Sequence, residues 1–319
     1  MLGALLALLG ACFHGTNNAS LRRGVLTGSV SQALAITITL GVPFSLLAAW
    51  LSGQLFQLGE LGVRGALFAG SAGILQYVWG RYWNYSATKF LGGVGAGPIQ
   101  QSQMWIAVVL AVVLLDERLT LLTLMGMGLI FVAPFIIARS LRLRRLQNQQ
   151  FRAQQAAAGK SVEVLFEPRI MVGYGCAVLA AIGYGVAPVV VRAGVGESGL
   201  GLLGGMLAYC AAFVTFWTIS LIVPGQLRHI REVEPEPRKW YLFAGVMTSL
   251  GQACYFMSLS LAPVTVVAPL FQLSLIVRVV AGYLLNREHE VFTRLSLIAV
   301  VIAFCGTMLI TLDLILRNG

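Results

Sequence analysis

The sequence predicts an all-α membrane protein: ten transmembrane helices arranged as two inverted five-helix repeats. Three observations carry this expectation. Hydrophobic residues make up 58% of the 319 residues against 11% charged, and the mean hydropathy of +0.83 exceeds what a water-soluble core of this length requires. The apolar stretches are long and continuous, without the alternation of a lipid-facing strand, which favours helices over a barrel. Finally, several motifs recur in the same order about 170 residues apart.

A hydrocarbon core of roughly 30 Å takes about 20 helical residues to cross. On that ruler, spans are expected at 2–21, 29–53, 65–87, 93–115, 119–139, 170–192, 199–223, 240–261, 264–285 and 294–316. The first resembles a signal peptide, but no basic residue precedes its apolar run, so it is read as a retained helix. Gly92 to Pro98, with four glycines before a proline, reads as the turn between the third and fourth spans followed by a flexible helix start. Spans 8 and 9 are separated by Ala262-Pro263 alone and should form an antiparallel hairpin. The polar stretch from Arg139 to Arg169 links the halves as a frayed helix near anionic headgroups. The expected division is therefore a first five-helix repeat at 1–140, a basic linker at 141–169 and a second repeat at 170–319.

The duplication is legible residue by residue. Gly15, Arg22 and Gly24 recur as Gly185, Arg192 and Gly194. Pro98 and Glu117 recur as Pro269 and Glu288, and Leu67-Phe-Ala-Gly70 recurs as Leu242-Phe-Ala-Gly245. Five spans per half means that the second copy enters the membrane from the opposite side. Arg22 and Arg192 are then expected at opposite faces.

A net charge of +10 tempts a nucleic-acid reading, but 16 of the 22 Lys and Arg fall in the connections after spans 1, 3, 5, 7 and 9. That asymmetry is the positive-inside signal, and it puts those connections in the cytoplasm and both termini outside. A multi-pass protein of the inner or plasma membrane follows, with lipid rather than nucleic acid as its surroundings. Cys12, Cys176, Cys210, Cys254 and Cys305 all lie in spans without short spacing and read as packing residues, and no cofactor or metal set is visible.

At this point the residues carry a family resemblance. The end of the first span, Gly15-Thr-Asn through Arg22-Arg-Gly24, resembles the EamA branch of the drug/metabolite transporter superfamily. So do Ala262-Pro-Val-Thr-Val-Val-Ala-Pro-Leu270 running into Leu284-Leu-Asn-Arg-Glu288, and Leu114-Leu-Asp-Glu-Arg-Leu119. The resemblance implies a basket of ten helices with a central cavity lined by spans 1, 3, 4, 6, 8 and 9. It further implies movement of amino acids, amines, sugars or other small metabolites by alternating access. Characterised relatives generally keep both termini in the cytoplasm, whereas the loop charges here argue for both outside. Glu117 and Glu288 match the family's acidic position at the end of the fourth helix of each half, and their ionic neighbours favour a helix-end role.

Charged side chains at membrane depth cost at least roughly 2.5 to 3.5 kcal/mol, so each is a functional candidate. Arg278 in span 9 and Arg81 in span 3 are the strongest, with snorkelling to the headgroups as the alternative. His14 and Asn18 are the candidates in span 1. Tyr82 and Trp83 belong to an aromatic stripe in which Tyr82 and Tyr85 share a face, either lining the cavity or anchoring the interface. Span 4 contributes Gln100, Gln101, Gln103 and Trp105, and span 9 contributes Gln272. Tyr184, Gln252 and Tyr255 are the polar candidates of the second half.

No Asp or Glu is found between the span ends, which disfavours a cation or multidrug exporter that exchanges protons. Guanidinium groups without a countercharge suit a carboxylate or phosphate. The leading expectation is therefore a secondary transporter for a small anionic or zwitterionic solute such as an amino acid or organic acid. A proton or counter-solute would be its coupling partner, and monomer and homodimer both stay open. A flippase for a lipid or lipid-linked sugar is the alternative. An integral membrane enzyme ranks lower, because no Ser-His-Asp, Cys-His or metal cluster is in reach. A primary pump lacks its nucleotide-binding loop.

Overall fold

A computed structural model describes residues 2–103, 105–106, 109–110, 120–157, 168–195, 199–261, 270–271, 273–290 and 292–318. Among them there is no strand. The helices are α1 (Leu2–Thr27), α2 (Val30–Leu51), α3 (Leu58–Gly73), α4 (Arg81–Leu91), α5 (Gly93–Gln100), α6 (Leu121–Ala157), α7 (Ile170–Val195), α8 (Gly201–Ile222), α9 (Gln226–Arg231), α10 (Pro235–Leu261), α11 (Ser274–Asn286) and α12 (Arg294–Asn318). A π-helical stretch, Ile74–Gly80, joins α3 to α4, so the expected third span is one bent rod. Four described segments are long and apolar enough to cross a membrane by themselves: Val30–Leu51, Leu121–Phe151, Ile170–Ala187 and Gly201–Ile222.

The exterior is apolar, unlike that of a water-soluble protein, and polar side chains are buried within the hydrophobic core. Leu5, Leu9, Leu47, Phe135, Val214 and Leu284 are exposed, while Asn17, Arg22, Arg81, Asn84, Gln100 and Arg278 are buried. In lipid the apolar side chains need no cover, and the polar ones must find partners inside.

Glycines set the helix crossings, and the repeated ones set equivalent crossings. A Cβ at Gly15 would stand 2.8 Å from the Ser274 carbonyl and 2.6 Å from Val277 Cβ; one at Gly185 would stand 2.8 Å from the Gln103 carbonyl and 2.8 Å from Ile106 Cβ. The glycines differ by 170 positions and their neighbours by 171. Gly70 likewise faces Ala211 at 3.3 Å, and Gly245 faces Leu40 at 2.7 Å. Gly126 and Gly306 meet reciprocally, a Cβ on each lying 2.6 or 2.7 Å from the other's carbonyl. Each half thus contributes the glycine to one crossing and the opposing side chain to the other. Close backbone approach of this kind is what drives helix association in lipid.

Two levels of the molecule are marked by bonds between connections. On one, the Arg169 backbone amide donates to the Phe90 carbonyl, and the Gln32 side chain donates through Nε2 to the His229 carbonyl at 2.8 Å. Ser29 caps α2 through a capping box with Gln32 and also contacts His229. On the other, Thr120 and Thr123 donate to Asp313, and Gln54 accepts from the Leu203 amide.

Two expectations are refined. The stretch from Gly92 to Pro98 is not a flexible start: the break is confined to Gly92, whose φ of 83° only glycine adopts freely, and Gly93 to Gln100 is helical with Pro98 inside. The polar stretch that follows Arg139 continues α6 without interruption as far as Ala157, and Leu141 is in the core. The Ala262-Pro263 hairpin, Pro269, Gln272 and Glu117 lie outside the described residues.

Candidate functional site

Arg81 follows directly on the π-helical stretch, a geometry frequent at functional sites. It is 4% exposed, so it does not snorkel. Its guanidinium lies 4.8 Å from the Tyr77 ring centroid and 5.5 Å from that of Tyr209, and Nη2 donates to the Tyr209 hydroxyl at 3.0 Å. The two rings stack at 4.0 Å. Aromatic faces attract the cation without neutralising it. Arg81 Nη1 is buried with no partner.

Arg278, also buried, reaches across from α11. Its Nη1 donates to Gln100 Oε1 at 2.7 Å and its Nη2 to Thr88 Oγ1 at 3.3 Å, while Nε is unpartnered. Gln100 Nε2 donates in turn to Asn84 Oδ1, and Asn84 Nδ2 donates to the Tyr184 hydroxyl at 3.2 Å. One chain of hydrogen bonds therefore ties α11, α5, α4 and α7 together. Gly97 lets Leu275 pack beside this chain, since a Cβ there would stand 2.9 Å from the Leu275 side chain.

The third wall comes from α1. Asn18 Nδ2 donates to the His14 carbonyl at 2.9 Å, which leaves Asn18 Oδ1, Asn17 Oδ1 and His14 Nδ1 buried without partners. His14 lies within electrostatic reach of both Arg278 and Arg81, and its ring stands 5.5 Å from Phe271. Phe271 packs against Tyr255 at 4.5 Å.

Below this network the ends of α1 and α4, the start of α5 and the connection after α11 converge. Arg22 Nη1 donates to the carbonyls of Thr88 at 3.0 Å and Lys89 at 2.8 Å, and its Nε lies 3.7 Å from Glu290 Oε1. Glu290 accepts from the Gly93 amide and, at 3.0 Å, from the Val94 amide. Burial pushes the Glu290 carboxyl up, and Arg22 and the two amides pull it down. Asn286 Nδ2 donates to the Ala19 carbonyl at 2.8 Å.

Several expected residues converge and others do not. Arg278, Arg81, His14, Asn18 and Tyr184 meet in the interior, and Gln101, the residue that caps the end of α5, is buried. Gln252 lines a recess with Gly41, Phe44, Ser45, Ser249 and Tyr209, the tyrosine that holds Arg81. Tyr82 and Trp83 are corrected: Tyr82 is 41% exposed, and Trp83 is partly buried, packed against the hydrophobic core and edge-on against Tyr82 and Trp79. Tyr82 and Tyr85 stand about 60° apart on a helix, and the edge of the exposed surface runs between them, leaving Tyr85 inside. Trp105 is also corrected, since it docks on α6 through Nε1 to the Met127 carbonyl at 2.9 Å and packs against Phe131.

The expected interior without carboxylates does not hold either. Glu290 belongs to a connection by sequence but folds inward, 7% exposed, where Arg22 and two helix amides hold it. Arg22, Glu290, Asn84 and Thr88 escaped the sequence reading. Only Arg22 carried a signal, through its repetition as Arg192.

An apolar exterior around buried arginines, amides and hydroxyls defines a multi-pass helical membrane protein with a polar interior. The profile of the EamA-like transporter family matches residues 1–139 and 171–312, and the chain belongs to that family. It is thus a membrane transporter of the drug/metabolite transporter superfamily, working on a small-molecule solute in a lipid environment. A solved structure described only as a crystal structure of a protein shares 18% identity, with 97% of this chain and 96% of that one covered and a TM-score of 0.48. No curated protein matches.

Proposed function

We propose that this chain is a secondary carrier for a small anionic or zwitterionic metabolite, an amino acid or organic acid, working by alternating access. The observation that carries this reading is the pair of buried guanidinium groups with unpartnered nitrogens, Arg81 Nη1 and Arg278 Nε, in one interior with unpartnered amide oxygens on Asn17 and Asn18. Among the described residues no carboxylate bonds directly to either arginine. A buried polar group without a partner is costly, so such a site calls for water or a solute. Guanidinium donors match a carboxylate, and amide oxygens match an ammonium.

The expected result is that carboxylate-bearing solutes raise the melting temperature of the purified protein and exchange across proteoliposomes. Saturation at 100 times Kd would add about 2.7 kcal/mol of apparent stability. Stabilisation confined to amines or uncharged sugars would reverse the assignment.

The halves act as inverted repeats, 1–140 and 170–319, joined by the linker at 141–169. Support comes from the exchanged glycine crossings and from helix direction. The end of α1 meets the end of α4 through Arg22, and α7 starts at that same level through Arg169, so α1 and α7 run oppositely. Arg22 and Arg192 then belong to opposite faces of a plasma-membrane protein with its linker inside the cell. A cysteine replacing Gln154 should react with an impermeant reagent only from the cytoplasmic side, and one replacing Gly319 only from outside. The reverse pattern would overturn the positive-inside assignment and keep the repeat.

A further inference from the structure

We propose that Glu290 and Arg22 form the latch that closes the solute pathway at the level of the connections after the odd-numbered spans, and that Arg278 couples this latch to the solute site. The proposal rests on the carrier reading.

Four separate segments are drawn together by these two side chains, both 1% exposed. Arg22 closes the end of α1 onto the last carbonyls of α4, and Glu290 closes the connection after α11 onto the first amides of α5. Lys89 adds a bond from its Nζ to the Gly28 carbonyl at 3.0 Å. The place for the carboxylate is made by missing side chains: a Cβ at Gly92 would lie 2.5 Å from Glu290 Oε2, and one at Gly93 would lie 2.9 Å from Oε1.

The ionic contact itself is long, 3.7 Å, whereas each partner is held at short range by backbone. This division suits a contact that must part. When the segments separate, water reaches both charges, while Glu290 keeps the α5 amides and Arg22 the α4 carbonyls, so parting the pair differs from deleting one partner inside the closed protein. At the opposite level, the buried carboxylate of Asp313 is bonded to Thr120 and Thr123 between α6 and α12.

Arg278 joins the latch to the interior. Its two terminal nitrogens hold Gln100 on α5 and Thr88 on α4, and Thr88 passes its own carbonyl to Arg22. A carboxylate claiming those nitrogens releases both flanks of the Gly92 junction. Solute binding and opening at this level are thereby the same exchange of hydrogen bonds.

The test uses full-length protein in proteoliposomes, with the five native cysteines replaced and Ser86→Cys as reporter on the buried face of α4. An impermeant thiol reagent is applied from each side in turn. Glu290→Gln removes the charge and keeps the shape, and it should raise the labelling rate at least tenfold from the latch side alone. Gly93→Ala displaces the carboxylate by another route and should do the same; Glu290→Asp should label at a rate between the parent and Glu290→Gln. Arg278→Gln, which vacates the bonds a carboxylate would claim, should also raise labelling. Parental labelling in folded Glu290→Gln and Gly93→Ala overturns the latch and leaves the carrier reading standing. Loss of folding in both variants assigns the contact to the fold alone and also overturns it. A latch that behaves as stated in a protein that exchanges only amines would retain the gate and remove the anionic solute.

Discussion

Arg278→Ala is expected to lower transport by roughly 100-fold or more while the protein still folds and reaches the membrane. The guanidinium makes two charged hydrogen bonds inside the protein, and bonds of that kind contribute about 1.5–3 kcal/mol each, with 1.4 kcal/mol per factor of ten. Transferred to a carboxylate in the loaded state, the same donors account for a loss of that size. Stability should change little, because deleting the side chain also deletes a buried charge, and Gln100 keeps its bond to Asn84. Arg278→Lys should recover little transport: one ammonium on a flexible stem cannot hold Gln100 and Thr88 together in the planar fork. Solute exchange in proteoliposomes, normalised to folded protein, is the measurement. Parental exchange by Arg278→Ala would remove this residue from the pathway and leave Arg81 as the anion anchor.

Arg22→Ala should produce the larger stability defect, about 3–5 kcal/mol, because it leaves a buried carboxylate without its cation. The carbonyls of Thr88 and Lys89 lose their donor in the same step. Adding Glu290→Gln to an Arg22→Met background should restore part of the loss, since neither side then buries a charge. Thermal unfolding of the detergent-purified protein measures both. A loss in Arg22→Ala below about 1 kcal/mol, the range of an exposed pair, would contradict a buried ionic contact.

The two predictions differ in how far the sequence anticipates them. Arg278 is visible because a cation in the middle of an apolar run has few places to go, and the same holds for Arg81. Arg22 is hidden by its surroundings: beside Arg23 and past the apolar stretch it counts as a loop charge, and only its recurrence as Arg192 hints otherwise. Glu290 sits among Arg287, Glu288 and His289, a run that reads as a solvated connection. The sequence cannot tell which of two nearby acids turns inward, because that depends on the space left by Gly92 and Gly93, nearly 200 positions away.

The aromatic stripe shows the opposite kind of limit. Helical spacing puts Tyr82 and Tyr85 on neighbouring arcs, but the side of each that meets lipid is set by which helices flank α4. With α7 against it and α1 beside Arg22's end, the boundary falls between them, and Tyr85 goes in while Tyr82 goes out. Trp105 likewise finds a carbonyl on α6 instead of a cavity.

By itself the sequence determined the helical membrane class, the doubling of the chain and the interior placement of Arg81 and Arg278, because each follows from local hydropathy and from residues repeated along one dimension. Tertiary structure alone decided which polar atoms became partners. A hydrogen bond such as Arg278 to Gln100 joins positions 178 apart, and its existence depends on a few tenths of an ångström at glycine crossings that linear spacing does not encode.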